Sequence, residues 1–291
     1  MKPPPFRYRA PSTVDEAVAA LAEAGDTGKV LAGGQSLVPL LNMRLAGPQV
    51  LVDVNRVAGL DVVEVDDEVV RVGATVRQAD LERHAAASAA IPLLHEALGH
   101  VAHPVIRNRG TVVGSIAHAD PAAELPAVLA LLDGSVEVRS GRGSRHVPAT
   151  DFFVGPLESA LEPGDLATAV TFPRPAPRTG TAFVELARRH GDYAMAGVAV
   201  AVTLDGDQVG DARAAFIGVG GVPVVVDLAG DLAGQSVADL DVAPAVGTAR
   251  GRIDPMDDIH ATADYRRHLA GVLLGRALTT AASRAAGGDA P

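Results

Sequence analysis

The chain has no cysteine and no tryptophan, and only 3% of its 291 residues are aromatic. The missing cysteine excludes disulfides, thiol nucleophiles and cysteine-ligated iron–sulfur clusters within this chain. Any redox chemistry must come from an organic cofactor or a partner subunit. The scarcity of aromatics leaves Val, Ala and Leu to fill the core. Long apolar runs are missing too: none reaches the roughly 18 residues of a membrane span. Positive charge is in deficit, with 25 Lys and Arg against 35 Asp and Glu and a net charge of -10. That balance argues against nucleic acid or an anionic membrane as the main partner. Met1-Lys2-Pro3-Pro4-Pro5 carries no signal-peptide core, so the cytoplasm is the expected compartment.

What is there is ordinary for a soluble globular protein, with 48% hydrophobic and 21% charged residues. The length suits two domains or one large one. Thr13-Val14-Asp15-Glu16 reads as a capping box opening a helix that ends near Gly25. Lys29 to Leu31 is a short strand, followed by a glycine turn, a helix to about Arg44 and a second strand, Val50 to Val54. This order makes a β-turn-α-β unit of the nucleotide-binding type. Val62–Val65 and Val69–Val72 flank Asp66-Asp67 as a hairpin. Thr75 to Gln78 reads as another capping box, leading into a helix through His84. Ile91 to Gly99 and Leu125 to Leu132 are helical, the latter capped near Gly134. Val136 to Arg139 is a strand turned back by Gly141–Ser144, and Leu166 to Phe172 is another strand.

Pro173-Arg174-Pro175-Ala176-Pro177-Arg178 reads as a linker, because repeated Pro blocks both helix and ladder. Beyond it, Thr181–Arg189, Gly197–Leu204 and Ala212–Val219 read as three strands of an antiparallel meander. His260 to Ala285 is a long amphipathic helix, and Gly287-Gly288-Asp289 a frayed tail.

Two glycine turns carry the functional signal. The first is Ala32-Gly33-Gly34-Gln35-Ser36, before Leu37. The second runs from Gly110-Thr111 through Val112-Val113 to Gly114-Ser115. Glycine lets backbone approach a ligand closely and adopt positive φ. Successive N–H groups in such turns form anion-binding nests, and a helix N-terminus adds positive potential. Two of them suggest a nucleotide diphosphate held from two sides. Each also has a plain reading as a strand-to-helix turn, with Ser36 as an N-cap in the first. Neither matches Gly-x-Gly-x-x-Gly or the Lys-bearing P-loop. Arg107, Asn108 and Arg109 cluster beside the second turn, and Arg suits phosphate.

Glu124 and Asp120 could accept hydrogen bonds from ligand hydroxyls, or simply sit at a helix start. His100, His103 and His118 lack a third convincing ligand set, so no metal is expected. Arg188-Arg189-His190-Gly191-Asp192-Tyr193 could place Tyr193 over a planar ring, or be a solvated strand end. Gly218-Val219-Gly220-Gly221 reads as a structural turn. Spacing supports no Ser-His-Asp triad and no catalytic carboxylate pair, so no catalytic residue is assigned.

These strings resemble a known family. Ala32-Gly33-Gly34-Gln35-Ser36-Leu37 with Met43-Arg44 is similar to the first FAD-binding motif of carbon monoxide dehydrogenase-type flavoprotein subunits. Arg107–Thr111, Gly114-Ser115 and Ala117–Glu124 are similar to the second, and Arg188–Tyr193 to a third block. The matches run in order from the N-terminus to about residue 285.

The resemblance implies an α+β fold. An FAD-binding domain of the PCMH/vanillyl-alcohol-oxidase type would cover residues 1–175, with subdomains of about 1–55 and 56–175. A C-terminal domain of the CO dehydrogenase flavoprotein type would cover 179–286, as a three-stranded antiparallel sheet with helices. It implies that Ala32–Leu37 together with Thr111, Gly114 and Ser115 cradle the pyrophosphate of FAD. Glu124 would be an acidic ligand, and Asp192 and Tyr193 would lie near the isoalloxazine. Val113 stands where the family has the first of two glycines, so a Cβ there would alter one pyrophosphate contact. With no His placed as a covalent anchor, the FAD is expected to be noncovalent.

The implied role is that of a medium subunit of a molybdenum hydroxylase of the xanthine dehydrogenase family. A small [2Fe–2S] subunit and a large molybdopterin subunit would be its partners, and an external acceptor would take the electrons. Stand-alone FAD oxidoreductase and redox-inactive nucleotide-binding module are the alternatives.

Overall fold

The computed structural model describes residues 2–288. Arg7–Arg9 (β1), Val14–Ala24 (α1), Gly28–Leu31 (β2), Leu37–Asn42 (α2) and Val50–Asp53 (β3) build the first unit. Its three strands are parallel, with β3 between β1 and β2. Thr13 caps α1 as expected: its side chain accepts from the N–H of Glu16, and the Glu16 carboxylate takes the N–H groups of Ser12 and Thr13. β1 escapes the sequence reading because all three of its residues are exposed.

The second unit begins with the expected hairpin, Val63–Val65 (β4) and Val69–Gly73 (β5), closed by Asp66 accepting the N–H groups of Glu68 and Val69. Helices follow: Gln78–Glu82 (α3), Ala85–Ala90 (α4), Pro92–His100 (α5), Pro104–Arg107 (α6), Val112–His118 (α7) and Glu124–Leu131 (α8). Then come Ser135–Ser140 (β6), Gly143–Pro148 (β7), Ala149–Phe152 (α9), the small hairpin Phe153–Gly155 (β8) and Glu158–Ser159 (β9), and Leu166–Pro173 (β10). β4, β5, β10, β6 and β7 lie side by side in that order as an antiparallel sheet.

The expected capping box at Thr75 does not form. Thr75 lies in a turn closed by Val76 N–H donating to the Gly73 carbonyl, Arg77 is extended, and the backbone that follows is taken elsewhere. The N–H of Gln78 donates to the Gly110 carbonyl, that of Val112 donates to Val76, and Arg77 faces Thr111 in an antiparallel bridge. Tertiary pairing therefore overrides the local cap, and α3 starts only at Gln78. That helix ends at Glu82, short of His84, and a separate α4 precedes α5.

Past the proline segment, Thr179–Leu186 (β11), Ala196–Asp205 (β12) and Gln208–Ile217 (β13) form the expected meander. A fourth strand, Val224–Asp227 (β14), joins its edge, so the sheet has four strands rather than three. Pro223 cannot donate to a ladder, but the Val-Val-Val that follows it can. Ala229–Leu232 (α10), Ala243–Arg250 (α11) and the long Ala263–Ala285 (α12) complete the chain. α12 starts later than His260, where the Thr262 side chain accepts from the Tyr265 N–H. Of the expected tail, Gly287 and Gly288 follow α12, and Asp289 lies outside the described residues.

Two cores meet across one sheet. In β12, Val198, Val200 and Val202 pack with α12, while Ala199 and Ala201 pack with the core of the first half. Strand side chains alternate between faces, so this Ala/Val alternation makes one bulky face and one flat face. α8 lies on the flat face, in contact with β12 and β13. Leu125 to Leu131 are all buried, as an α-helix apolar on every side requires. Its first residue, Glu124, is thereby held at the junction between the two halves.

Candidate functional site

The two glycine turns touch each other. Gly33 lies against the backbone of Arg109 and Gly110. A Cβ built on Gly33 would fall 2.8 Å from the Gly110 Cα and 3.0 Å from the Arg109 carbonyl carbon, and closer still to its oxygen. No side chain fits there. Gly34, next to it, has φ of +74°, the left-handed region that favours glycine. After the turn, Val38 N–H donates to the Gly34 carbonyl. The N–H groups of Gly34, Gln35, Ser36 and Leu37 make no hydrogen bond to the described residues. The Ser36 side chain does not cap α2, which removes the plain reading of that serine. Gln35 folds back on the Gly33 carbonyl at 3.2 Å.

The second turn is differently arranged. Thr111 is the N-cap of α7, its hydroxyl accepting from Gly114 N–H at 3.1 Å. The Ser115 N–H donates to the Thr111 carbonyl. Gly114 leaves room for the Thr111 hydroxyl, which a Cβ would meet at 2.5 Å. The Thr111 and Gly114 groups are therefore spent on shaping the turn, and the Ser115 hydroxyl is left on a partly exposed face. Val113 is 2% exposed and belongs to the main core. The Cβ expected to alter a pyrophosphate contact is turned into the core instead.

A polar chain that no motif announced locks the turns together. Asn55 donates to the Ala32 carbonyl at 2.9 Å and to Asp53 at 2.6 Å. Arg77 donates to the Asn55 side-chain oxygen at 2.6 Å and to the Arg109 carbonyl at 2.7 Å. Tyr8 adds its hydroxyl to Asp53. Asn55 thus serves the first turn and Arg77 the second. A cavity of about 490 Å³ opens beside Asn55 and Arg77, lined also by Asp61, Thr75, Asp80 and His84. It contains none of the residues expected to bind cofactor.

The two arginines beside the second turn part company. Arg107 is buried, bonded to both oxygens of Glu82 at 2.9 and 3.1 Å and to the Val101 carbonyl at 2.9 Å. It anchors helices and is not free for phosphate. Arg109 is exposed, and its guanidinium has no partner among the described residues. Its charge is felt at Arg77, whose guanidinium is held below its ordinary value by burial and then by Arg109.

At the junction between the two halves, three candidate residues lie within electrostatic reach of one another. Asp120 accepts from the Ala122 N–H at 2.9 Å. Glu124 follows at the start of α8. Burial, then Glu185 and the helix's own N–H in opposite senses, then Asp120, push its carboxyl up to about 8. Tyr193 presents 70% of its surface to solvent. Even so, partial desolvation by the surrounding protein raises its phenol, and the charges of Asp120 and Glu124 add to the shift. Asp192 is tied locally to Arg189 at 3.1 Å, which shapes the loop rather than facing the carboxyls. The loop from Gly218 closes this end: Gly218 has φ of +72°, its N–H donates to the Pro121 carbonyl, and its carbonyl accepts from Arg266. It is a structural turn.

The histidines are dispersed. His100 neighbours Glu185 and Phe183, His103 lies 5.9 Å from His190 ring to ring, and burial holds His118 below the ordinary histidine range. Among the described residues, no group of three or more His, Asp or Glu is placed to hold a metal ion. No helix among them is long and apolar enough to cross a membrane.

A doubly charged phosphate linkage fits this arrangement: unbonded N–H groups in a glycine nest, a close backbone seam, and a free guanidinium beside it. Two family models match the chain. One described as the FAD binding domain in molybdopterin dehydrogenase matches residues 4–175, and one described as the CO dehydrogenase flavoprotein C-terminal domain matches residues 181–281. The chain belongs to the FAD-binding medium subunits of the molybdenum hydroxylases. The 6-hydroxypseudooxynicotine dehydrogenase complex subunit alpha of Paenarthrobacter nicotinovorans is 42% identical over 98% of this chain and 97% of its own length. The carbon monoxide dehydrogenase of Hydrogenophaga pseudoflava that lacks the Mo-pyranopterin moiety superposes with a TM-score of 0.92 at 36% identity, covering 98% of this chain and 99% of that one. Quinoline 2-oxidoreductase from Pseudomonas putida 86 does so with the same score, identity and coverage. As a member of these medium subunits, the chain is an oxidoreductase flavoprotein whose cofactor is FAD.

Proposed function

We propose that this chain is the electron-transfer subunit of a heteromeric molybdenum hydroxylase in the cytoplasm. It takes electrons from the [2Fe–2S] clusters of a small partner and delivers them to an external acceptor, while a large molybdopterin partner oxidises the substrate. The observation that carries this reading is the seam at Gly33 and Arg109–Gly110, with four N–H groups open beside it. The relatives' designation as subunits of complexes supports the partners. The absence of cysteine puts the clusters on another chain.

FAD, when bound, supplies a centre able to exchange electrons singly or in pairs. The chain's residues hold it without covalent attachment. Gly34 to Leu37 offer N–H groups to the pyrophosphate, with Gly33 leaving room and Ala32 anchored from behind by Asn55. The Ser36 and Ser115 hydroxyls and the Arg109 guanidinium complete that end, over a turn shaped by Thr111 and Gly114. Glu124 and Tyr193 flank the ring end, and Asp192 with Arg189 sets the loop that carries Tyr193. None of these groups is required to act as a general base on substrate.

The test is to purify the chain alone and beside its small and large partners. The expected result is about one noncovalent FAD per chain, bleached when the reduced iron–sulfur partner is added. A chain that stays colourless after reconstitution refutes the cofactor site. Flavin bleached by an organic substrate without partners points instead to a stand-alone oxidoreductase.

A further inference from the structure

One short helix grips the segment that leads into the second glycine turn at two points. α3 begins at Gln78 and ends at Glu82. Glu82 takes Arg107 through both carboxylate oxygens. Gln78 takes Gly110 in two ways. Its N–H donates to the Gly110 carbonyl at 2.9 Å, and its side chain lies against the Gly110 Cα. A Cβ built on Gly110 would fall 3.1 Å from the Gln78 Cδ and 3.2 Å from the Ile106 carbonyl oxygen, and closer still to the Gln78 Oε1. Gly110 is not among the glycines with positive φ, so its missing side chain serves space rather than conformation.

The amide is a costly filler for that space. Gln78 is 4% exposed, and its Oε1 is buried with no hydrogen-bond partner among the described residues. A hydrocarbon would fill the room without the desolvation that an unbonded oxygen incurs. What the oxygen offers is a close approach. The hydrogen that Gly110 carries where other residues have Cβ is directed at it, a weak Cα–H to oxygen contact. Gly110 is also the residue that Gly33 abuts, where a Cβ would fall 2.8 Å from the Gly110 Cα. Gly110 therefore meets two neighbours that leave no spare volume, the first turn and the Gln78 amide.

We propose that Gln78 is a positioning residue for the cofactor: its buried amide backs Gly110 and sets how closely the second turn sits against the first. This rests on the reading of the cleft as the FAD site. Gln78 belongs to neither glycine motif, and its Oε1 is closed to solvent, so its part is to place the turn and not to touch the ligand. With the amide in place Gly110 has one seat. Without it the turn settles back into the vacated room, and Arg109 and Gly110 draw away from the open N–H groups after Gly33.

The test is a two-site cycle in the full chain, read by FAD titration of flavin-stripped protein and by urea unfolding without FAD. Gln78→Ala empties the room behind Gly110, and Gly110→Ala drives a Cβ into the amide. Each is expected to weaken FAD binding about tenfold. The double variant is expected to bind FAD about threefold or more better than Gly110→Ala alone, because the new Cβ takes the room the amide has left. Val202→Ala is the control, since Val202 is buried in the other core, under α12; it lowers the urea midpoint and leaves FAD affinity unchanged. Gln78→Asn draws the amide back by one methylene and gives a smaller loss in the same direction, which is read if the alanine chain does not fold. Losses that simply add in the double variant, wild-type affinity in both Gln78 variants, or an equal loss in Val202→Ala overturn the proposal. A wild-type chain that takes up no FAD refutes the cofactor reading. The urea cycle, where the same recovery is expected, still decides whether Gln78 seats Gly110.

Discussion

Replacing Gly33 by alanine adds one carbon to the place where the two turns meet. That carbon would lie 2.8 Å from the Gly110 Cα, about 1 Å inside the roughly 3.5–4.0 Å at which carbon atoms sit comfortably. Its obstacles are main-chain atoms, so no side chain can swing away. The turns must separate by about that distance, and the Arg77 and Asn55 hydrogen bonds that fasten them must stretch. Overpacking of this kind costs about 1–3 kcal/mol, and that loss is expected in urea unfolding of the apo chain. FAD affinity should fall by about 10- to 100-fold, the equivalent of about 1.4–2.8 kcal/mol. Gly247 is the control: it sits within α11, and a methyl added there would meet nothing within 4 Å. Alanine at that position should stabilise by about 0.5–1 kcal/mol and leave FAD binding untouched. Gly33→Ala binding FAD within about threefold of wild type, less than 1 kcal/mol, with unchanged stability, would refute the seam.

Further outcomes are expected. Arg107→Ala breaks a buried pair with Glu82 and should cost about 3–5 kcal/mol in chemical unfolding. Arg109→Ala should leave stability within about 0.5 kcal/mol and weaken FAD binding by a salt-sensitive factor, read by titration at two ionic strengths. Val113→Gly restores the family glycine but empties a core position, so it should destabilise by about 2–4 kcal/mol with no gain in FAD affinity. Glu124 makes stability depend on pH. Its carboxyl rises from an ordinary 4.5 to about 8 on folding, so the native state binds the proton more tightly. Stability should therefore be greatest below the unfolded value, fall as pH rises between the two values, and level off above the folded one. The fall amounts to a few kcal/mol, at about 1.4 kcal/mol per unit, and Glu124→Gln should abolish it in urea unfolding at pH 5, 7 and 9.

Local signals in the sequence carry much of this architecture. The Thr13–Glu16 box, the Asp66 hairpin, the glycine turns and the alternating strands all speak through residues close together in the chain. What escapes is set by partners far away. Thr75 has the right neighbours for a cap, but Gly110 and Val112 claim the backbone that follows it. Arg107 and Arg109 are two residues apart and equally suited to phosphate; only Glu82, brought up by α3, decides that one is buried and the other free. Asn55 and Arg77 belong to no motif, because each acts on a turn supplied by a distant segment. Val113, a departure from the family pattern by sequence, is a core residue in the fold, since a helix sends successive side chains in different directions.

The contact between the glycine turns is made of main chain on both sides. Such a joint tolerates only glycine at position 33, because any side chain there would meet main chain that cannot swing aside. If the proposed site holds the flavin, side chains around the seam can change identity, and with them the charge and polarity a bound flavin would feel, while the seam keeps its shape. That separation gives one scaffold a fixed grip and an adjustable potential, so related enzymes could serve different acceptors without rebuilding the place where the cofactor is held.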